Sequence, residues 1–123
     1  MAPEVAMEKN YNESCDTYSF AILLWEMLAL QIPYSGYSKS NLENTVWQEP
    51  HVRPEVDGCW SVPMKLLLKR AWGADIKGRS SMKSISTILR KEAVAARAGD
   101  DSGLEHQRRR STFVFRGRQG TKL

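Results

Sequence analysis

The chain of 123 residues has two cysteines, two histidines and no apolar run long enough to cross a bilayer. Cys15 and Cys59 stand singly, with no CxxC spacing and no neighbouring histidine. That excludes a zinc finger and leaves reduced intracellular thiols as the simple reading. His51 and His106 are unaccompanied, and no chemistry is assigned to them. The run from Phe20 to Leu30 is about half of the ~20 residues a spanning helix needs, and Glu26 interrupts it. Pro3, Glu4, Glu8 and Lys9 break any secretory leader. A soluble protein of the cytoplasm or nucleus, with no membrane partner, is expected.

Charge is unevenly placed. Residues 1–96 carry 11 Lys/Arg against 11 Asp/Glu, whereas residues 97–123 carry 7 against 3. The net charge of +4 therefore belongs to the C-terminal stretch. A high pI arising this way gives no reason to make the folded part a nucleic-acid binder.

No segment alternates at period two, and no internal repeat is visible, so the expected class is all-α. Asn12 is a candidate N-cap, followed by unbroken helix formers to about Leu30, with Pro33 as the stop. Phe20, Ala21, Ile22, Leu23, Leu24, Trp25, Met27, Leu28 and Leu30 occupy every side of this helix, which must therefore be buried all round. Pro33-Tyr34-Ser35-Gly36-Tyr37 reads as a turn. A short helix is expected over Ser40–Gln48 and a loop across Pro54, Asp57, Gly58 and Pro63. A third helix runs from Met64 to Trp72 and a fourth from about Ser81 to Arg97. Met64, Leu67, Leu68, Ala71 and Trp72 form one apolar stripe, and Met82, Ile85, Ile88, Leu89 and Ala93 form another. Trp25, Trp60 and Trp72 read as core. The chain divides into a folded part, 1–97, and a disordered basic tail, 98–123, too polar and Gly-rich to offset its ordering entropy.

Met1-Ala2-Pro3-Glu4 is followed by Asp16, Tyr18-Ser19-Phe20, Leu24-Trp25-Glu26-Met27, Pro33-Tyr34, Arg53-Pro54, Ala71-Trp72 and Arg79. In this order and spacing, from Met1 to about Leu89, the residues resemble a protein kinase catalytic domain from the Ala-Pro-Glu tripeptide onward. The wording is closest to the tyrosine kinases and tyrosine-kinase-like kinases. Ala21, Ala71, Ser80 and Met82 depart from the family pattern by small or volume-tolerant changes.

The resemblance implies a helical C-lobe fragment. It implies an ion pair between Glu4 and Arg79, where the residues alone would also allow two solvated surface charges. It implies that Asp16 anchors the catalytic loop, the simpler alternative being an acid near a helix N-terminus. Ala2, Pro3 and Glu4 would close the activation segment on its substrate side. The complete family domain uses ATP and Mg²⁺ on protein hydroxyls, but no Gly-rich GxGxxG, His-Arg-Asp or Asp-Phe-Gly occurs in this chain. No catalytic, cofactor-binding or metal-binding residue is therefore assigned, and the chain alone is expected to be inactive. The helix apolar on all sides should need missing kinase segments, or another protein, to cover it. A non-catalytic binding module or decoy is the alternative. Whether the parent acts on Tyr or on Ser/Thr stays open. Ser111 and Thr112, following Arg108-Arg109-Arg110, are candidate phosphorylation sites, and a nucleic-acid role for the tail is disfavoured.

Overall fold

The computed structural model describes the backbone of residues 1–116 and the side chains of residues 1–100. The described residues are helical and contain no strand. Residues Met1–Ile88 form one compact unit, and a second begins at Leu89.

Helix α1 (Pro3–Ala6) is a single turn with proline at its start, where a missing N–H is harmless. Four residues are too few to leave a periodic signal, and the sequence did not predict it. Helix α2 (Ser14–Ala29) starts as its composition predicts, with one change of detail. Glu13 takes the cap position without a side-chain bond, while the Asn12 Oδ1 accepts from the Ser14 N–H at 3.0 Å. At the other end Leu30 adopts φ 53°, a left-handed stop usually given to glycine.

Helix α3 (Lys39–Asn41) is capped by Ser38, whose hydroxyl accepts from the Asn41 N–H at 3.1 Å. It runs into a wider π-helical turn over Leu42–Trp47 that no propensity argument marks. Helix α4 (Val62–Ala71) begins with Ser61 as N-cap. Pro63, expected in the loop, lies in the first turn of α4, where proline is tolerated.

Helix α5 (Met82–Arg116) continues well past the boundary expected at Arg97 and through residues expected to be disordered. No proline stands between Met82 and Arg116, and Gly99 and Gly103 each cost only about 1 kcal/mol relative to alanine. Glu, Gln and Arg, good helix formers, occupy many of the positions beyond them. Residues 117–123, the end of the expected tail, lie outside the described residues.

The core forms where α2 packs against α4. Tyr18, Ala21, Leu24 and Trp25 supply one wall, and Leu67, Leu68, Ala71 and Trp72 the other. Ile85 closes it from α5 and Val46 from the π turn. Trp60 is only half-buried. Of the stripe expected on α5, Ile85 alone is fully buried, with Ile88 and Leu89 half-buried and Met82 and Ala93 exposed.

Within this chain α2 is not covered all round. Leu23 is 51% exposed, Met27 54% and Leu30 88%, along a line at i, i+4 and i+7. Its other side is dry, with Thr17, Tyr18, Ala21, Leu24 and Trp25 buried.

Candidate functional site

Glu4 of α1 and Arg79 of the α4–α5 loop meet inside the fold. Arg79 Nη1 donates to Glu4 Oε1 at 2.6 Å and Nη2 donates to Oε2 at 3.0 Å. The side chains are 1% exposed for Arg79 and 5% for Glu4. Two parallel charge-assisted bonds suit the planar guanidinium and would not be reproduced by lysine.

Arg79 also serves backbone. Its Nε donates to Gly73 O at 2.9 Å, and Nη1 donates to Ser14 O at 3.0 Å. One side chain thus ties α1, the first turn of α2 and the α4–α5 loop together. Burial pushes the Glu4 carboxyl up, but the hydrogen bonds and charge of Arg79, helped by Arg53, outweigh it. The net result holds Glu4 below its ordinary value.

Ala2 and Pro3, the rest of the tripeptide, are also buried, and α1 packs on the π turn. The tripeptide is therefore part of the lobe's interior, while Met1 before it is 72% exposed.

Two further residues complete the arrangement. Tyr18 is buried on α2, and the guanidinium carbons of Arg53 and Arg79 each stand 5.1 Å from its ring centroid. Arg53 donates from Nε to Trp72 O at 2.9 Å, and from Nη1 to Val46 O at 2.9 Å and Val52 O at 3.0 Å. It ties the loop after the π turn to the end of α4. Trp25 does similar work through Nε1, which donates to Glu55 O at 2.7 Å. Tyr34 OH donates to Val52 O at 3.2 Å. Burial raises the pKa values of the Tyr18 and Tyr34 hydroxyls, which keeps both neutral as hydrogen-bonding groups.

Sequence reasoning gave Tyr18 and Arg53 no role. The usable signal was Tyr18 itself. A polar-tipped ring on the buried stripe of a helix requires partners for its edge and hydroxyl.

Asp16 lies in the first turn of α2, exposed, with Cys15 Sγ donating to its Oδ1 at 3.8 Å. It is seven residues before Leu23 and so shares the open side of α2. Ser111 and Thr112 fall in the part of α5 whose side chains are outside the described residues.

Among the described residues no group of three or more His, Cys, Asp or Glu side chains is placed to hold a metal ion. Among them, too, no helix is long and apolar enough to cross a membrane.

Comparison with known proteins gives the family of this chain. The family model described as protein tyrosine and serine/threonine kinase matches residues 1–89. A dual-specificity protein kinase of Dictyostelium discoideum is 33% identical over 103 residues, covering 84% of this chain and 20% of that protein. A probable serine/threonine-protein kinase of the same organism is 36% identical over 93 residues, covering 76% of this chain and 12% of that protein. A serine/threonine/tyrosine-protein kinase of Arabidopsis thaliana is 32% identical over 91 residues, covering 74% and 23% respectively. The chain spans less than a quarter of the length of each of these relatives. With its Ala-Pro-Glu tripeptide locked to Arg79 and the family model matched from Met1 onward, the chain belongs to the protein tyrosine and serine/threonine kinase family.

Proposed function

We propose that this chain is the C-lobe portion of a protein kinase whose complete domain transfers the ATP γ-phosphate, with Mg²⁺, to protein hydroxyls. The observation that carries this reading is the buried, bidentate Glu4–Arg79 pair, which holds the end of the activation segment to the lobe. The 123 residues contain no Gly-rich loop, no His-Arg-Asp and no Asp-Phe-Gly. Positioning and electrostatic stabilisation supply nearly all of phosphoryl-transfer catalysis. These residues by themselves therefore do not phosphorylate.

In the complete domain, Asp16 and the open line of Leu23, Met27 and Leu30 receive the catalytic-loop segments, with Asp16 accepting their backbone N–H groups. Ala2, Pro3 and Glu4 stand on the side where protein substrate docks. The unpaired Cys15 and Cys59 are in keeping with a cytoplasmic or nuclear setting. Ser111 and Thr112 are modification sites of the basic C-terminal segment.

The exposed line on α2 also favours a second reading, a non-catalytic kinase-like module that binds a partner through this surface. Two preparations test the pair. One is the 123-residue chain. The other is the same chain joined behind the nucleotide-binding lobe and catalytic loop of the Dictyostelium relative. With radiolabelled γ-phosphate ATP and a mixed protein substrate, the first should incorporate nothing and the second should phosphorylate. Phosphorylation by the 123 residues alone would overturn the proposal. A folded but inactive chimera would favour the binding module.

A further inference from the structure

A cavity of about 440 Å³ opens at the C-terminal end of α2. Trp25 of α2 and Trp60 border it, together with the loop residues Glu55 and Asp57, and no Lys, Arg or His stands in its wall. Its size is that of an ordinary small-ligand site. Trp60, expected in the core, is only half-buried and borders this cavity instead. Glu55 and Asp57 are exposed, so their charges are accessible.

The directed hydrogen-bonding groups of this wall are largely engaged, while its charge is not balanced. Trp25 Nε1 donates to Glu55 O at 2.7 Å, which leaves that indole no polar hydrogen for a ligand. Asp57 Oδ1 accepts from the Cys59 N–H at 2.7 Å, and Gly58 O, also in the wall, accepts from Lys65 Nζ at 3.1 Å. That backbone N–H, and more weakly the charge of Lys65, hold the Asp57 carboxyl below its ordinary value, so it is ionised at neutral pH. Glu55 forms no ion pair among the described residues. Two carboxylates thus stand against one ammonium, and that ammonium lies outside the wall. A ligand here is selected by charge and by an aromatic face more than by directed bonds. Those are the terms on which indole rings attract large organic cations.

We propose that this cavity binds an alkylated ammonium ion, its methyl groups against the indole of Trp60 and its charge offset by Glu55 and Asp57. The site shares no residue with the Glu4–Arg79 anchor, so it stands or falls independently of the kinase reading. Glu55 and Asp57 are exposed loop positions and tolerate substitution. Asparagine at position 57 keeps an oxygen for the Cys59 N–H.

The experiment titrates choline chloride into the full chain, isotopically labelled at tryptophan nitrogen, at constant ionic strength set with sodium chloride. NMR follows the indole N–H resonances of Trp25, Trp47, Trp60 and Trp72, assigned through single Trp→Phe variants. Saturable shifts are expected at Trp60 and Trp25 and not at Trp47 or Trp72. The apparent Kd should rise roughly two- to fivefold in Glu55→Gln and about tenfold in Glu55→Gln/Asp57→Asn. Trp60→Leu, followed at Trp25, should weaken binding roughly threefold or more. Dimethylbutanol, the neutral carbon isostere of choline, should need about tenfold higher concentration for the same shifts. Equal shifts by the isostere would make the cavity merely apolar and overturn the proposal. A Kd unchanged in the double variant, or no saturable shift at Trp60, would overturn it equally.

Discussion

Arg53 and Arg79 lie over the same aromatic ring, the guanidinium carbon of each 5.1 Å from the centroid of Tyr18. Two cations held this near one ring need neighbours that offset their repulsion. Glu4 does so for Arg79, and three backbone carbonyls do so for Arg53. The electron-rich ring adds attraction to both. Tyr18→Phe keeps the ring and should lose about 1 kcal/mol with the hydroxyl's interaction with the Tyr34 hydroxyl. Tyr18→Leu removes the ring face and leaves a void, and should lose about 2–4 kcal/mol. Urea unfolding monitored by tryptophan fluorescence separates the two. Equal midpoints would show that the ring face contributes nothing.

Arg79 is the residue whose loss should be felt most. Arg79→Ala strands the Glu4 carboxylate in the interior and orphans the carbonyls of Gly73 and Ser14. The expected cost is about 3–5 kcal/mol, the usual penalty for an unpaired buried charge. Glu4→Gln should cost less, because the guanidinium keeps its two backbone acceptors and a neutral amide oxygen. A Glu4→Gln melt lower than that of Arg79→Ala would reverse this ranking.

The same pair sets a pH dependence. Glu4 is held below its ordinary value of 4.5 in the folded chain, so the unfolded chain binds the proton more readily. The stability it contributes is complete above the unfolded pKa and is lost as pH falls through the lower, folded value. Between about pH 6 and about pH 3, the urea midpoint of the natural chain should fall more steeply than that of Glu4→Gln. Parallel curves would show that Glu4 does not couple folding to protons.

Much of this was legible in the residues, and what was not has identifiable causes. Helix α2 shows in the sequence because no breaker stands between Cys15 and Ala29, and α4 because Leu67, Leu68, Ala71 and Trp72 repeat at helical spacing. The π turn at Leu42–Trp47 leaves no mark, since one extra residue per turn alters packing and not composition. The extension of α5 to Arg116 was missed because a polar composition removes the apolar stripe while leaving helix propensity intact. Glu4 and Arg79 were paired through the resemblance, since a separation of 75 positions erases any local signal. The grouping of Arg53 with Tyr18 is tertiary in the same way: both stand in motifs that carry the resemblance, but neither motif pairs them.

The proposed covering of the exposed line on α2 by other segments can be told apart from an ordinary apolar scatter. Leu23→Glu with Met27→Glu should lower hydrophobic-dye binding and light scattering of the 123-residue chain, with a change in stability of roughly 0.5 kcal/mol or less. Placed in the active chimera, the same pair should destabilise the domain and reduce phosphorylation, because there the two side chains are covered. Leu68→Ala, fully buried, should cost about 2–5 kcal/mol in either setting. A chimera indifferent to the double substitution would show that the line faces water in the complete domain.

Leu30 offers the opposite kind of change, a gain. It ends α2 at φ 53°, ψ 37°, with its N–H donating to Glu26 O at 2.9 Å. A Cβ in the left-handed region crowds the neighbouring carbonyl, costing about 1–2 kcal/mol. The side chain is 88% exposed, so truncating it removes almost no burial. Glycine takes this conformation without strain but loses more backbone entropy on folding, by about 0.5–1 kcal/mol. Strain relief is the larger of the two in a residue fixed so far from the right-handed region. Leu30→Gly should therefore raise stability by about 0.5–1 kcal/mol, whereas Leu30→Val, β-branched and equally exposed, should lower it. Thermal melts of the three chains at one concentration decide the sign. A lower melting temperature for the glycine variant would mean that Leu30 contributes a contact in solution that outweighs its strain.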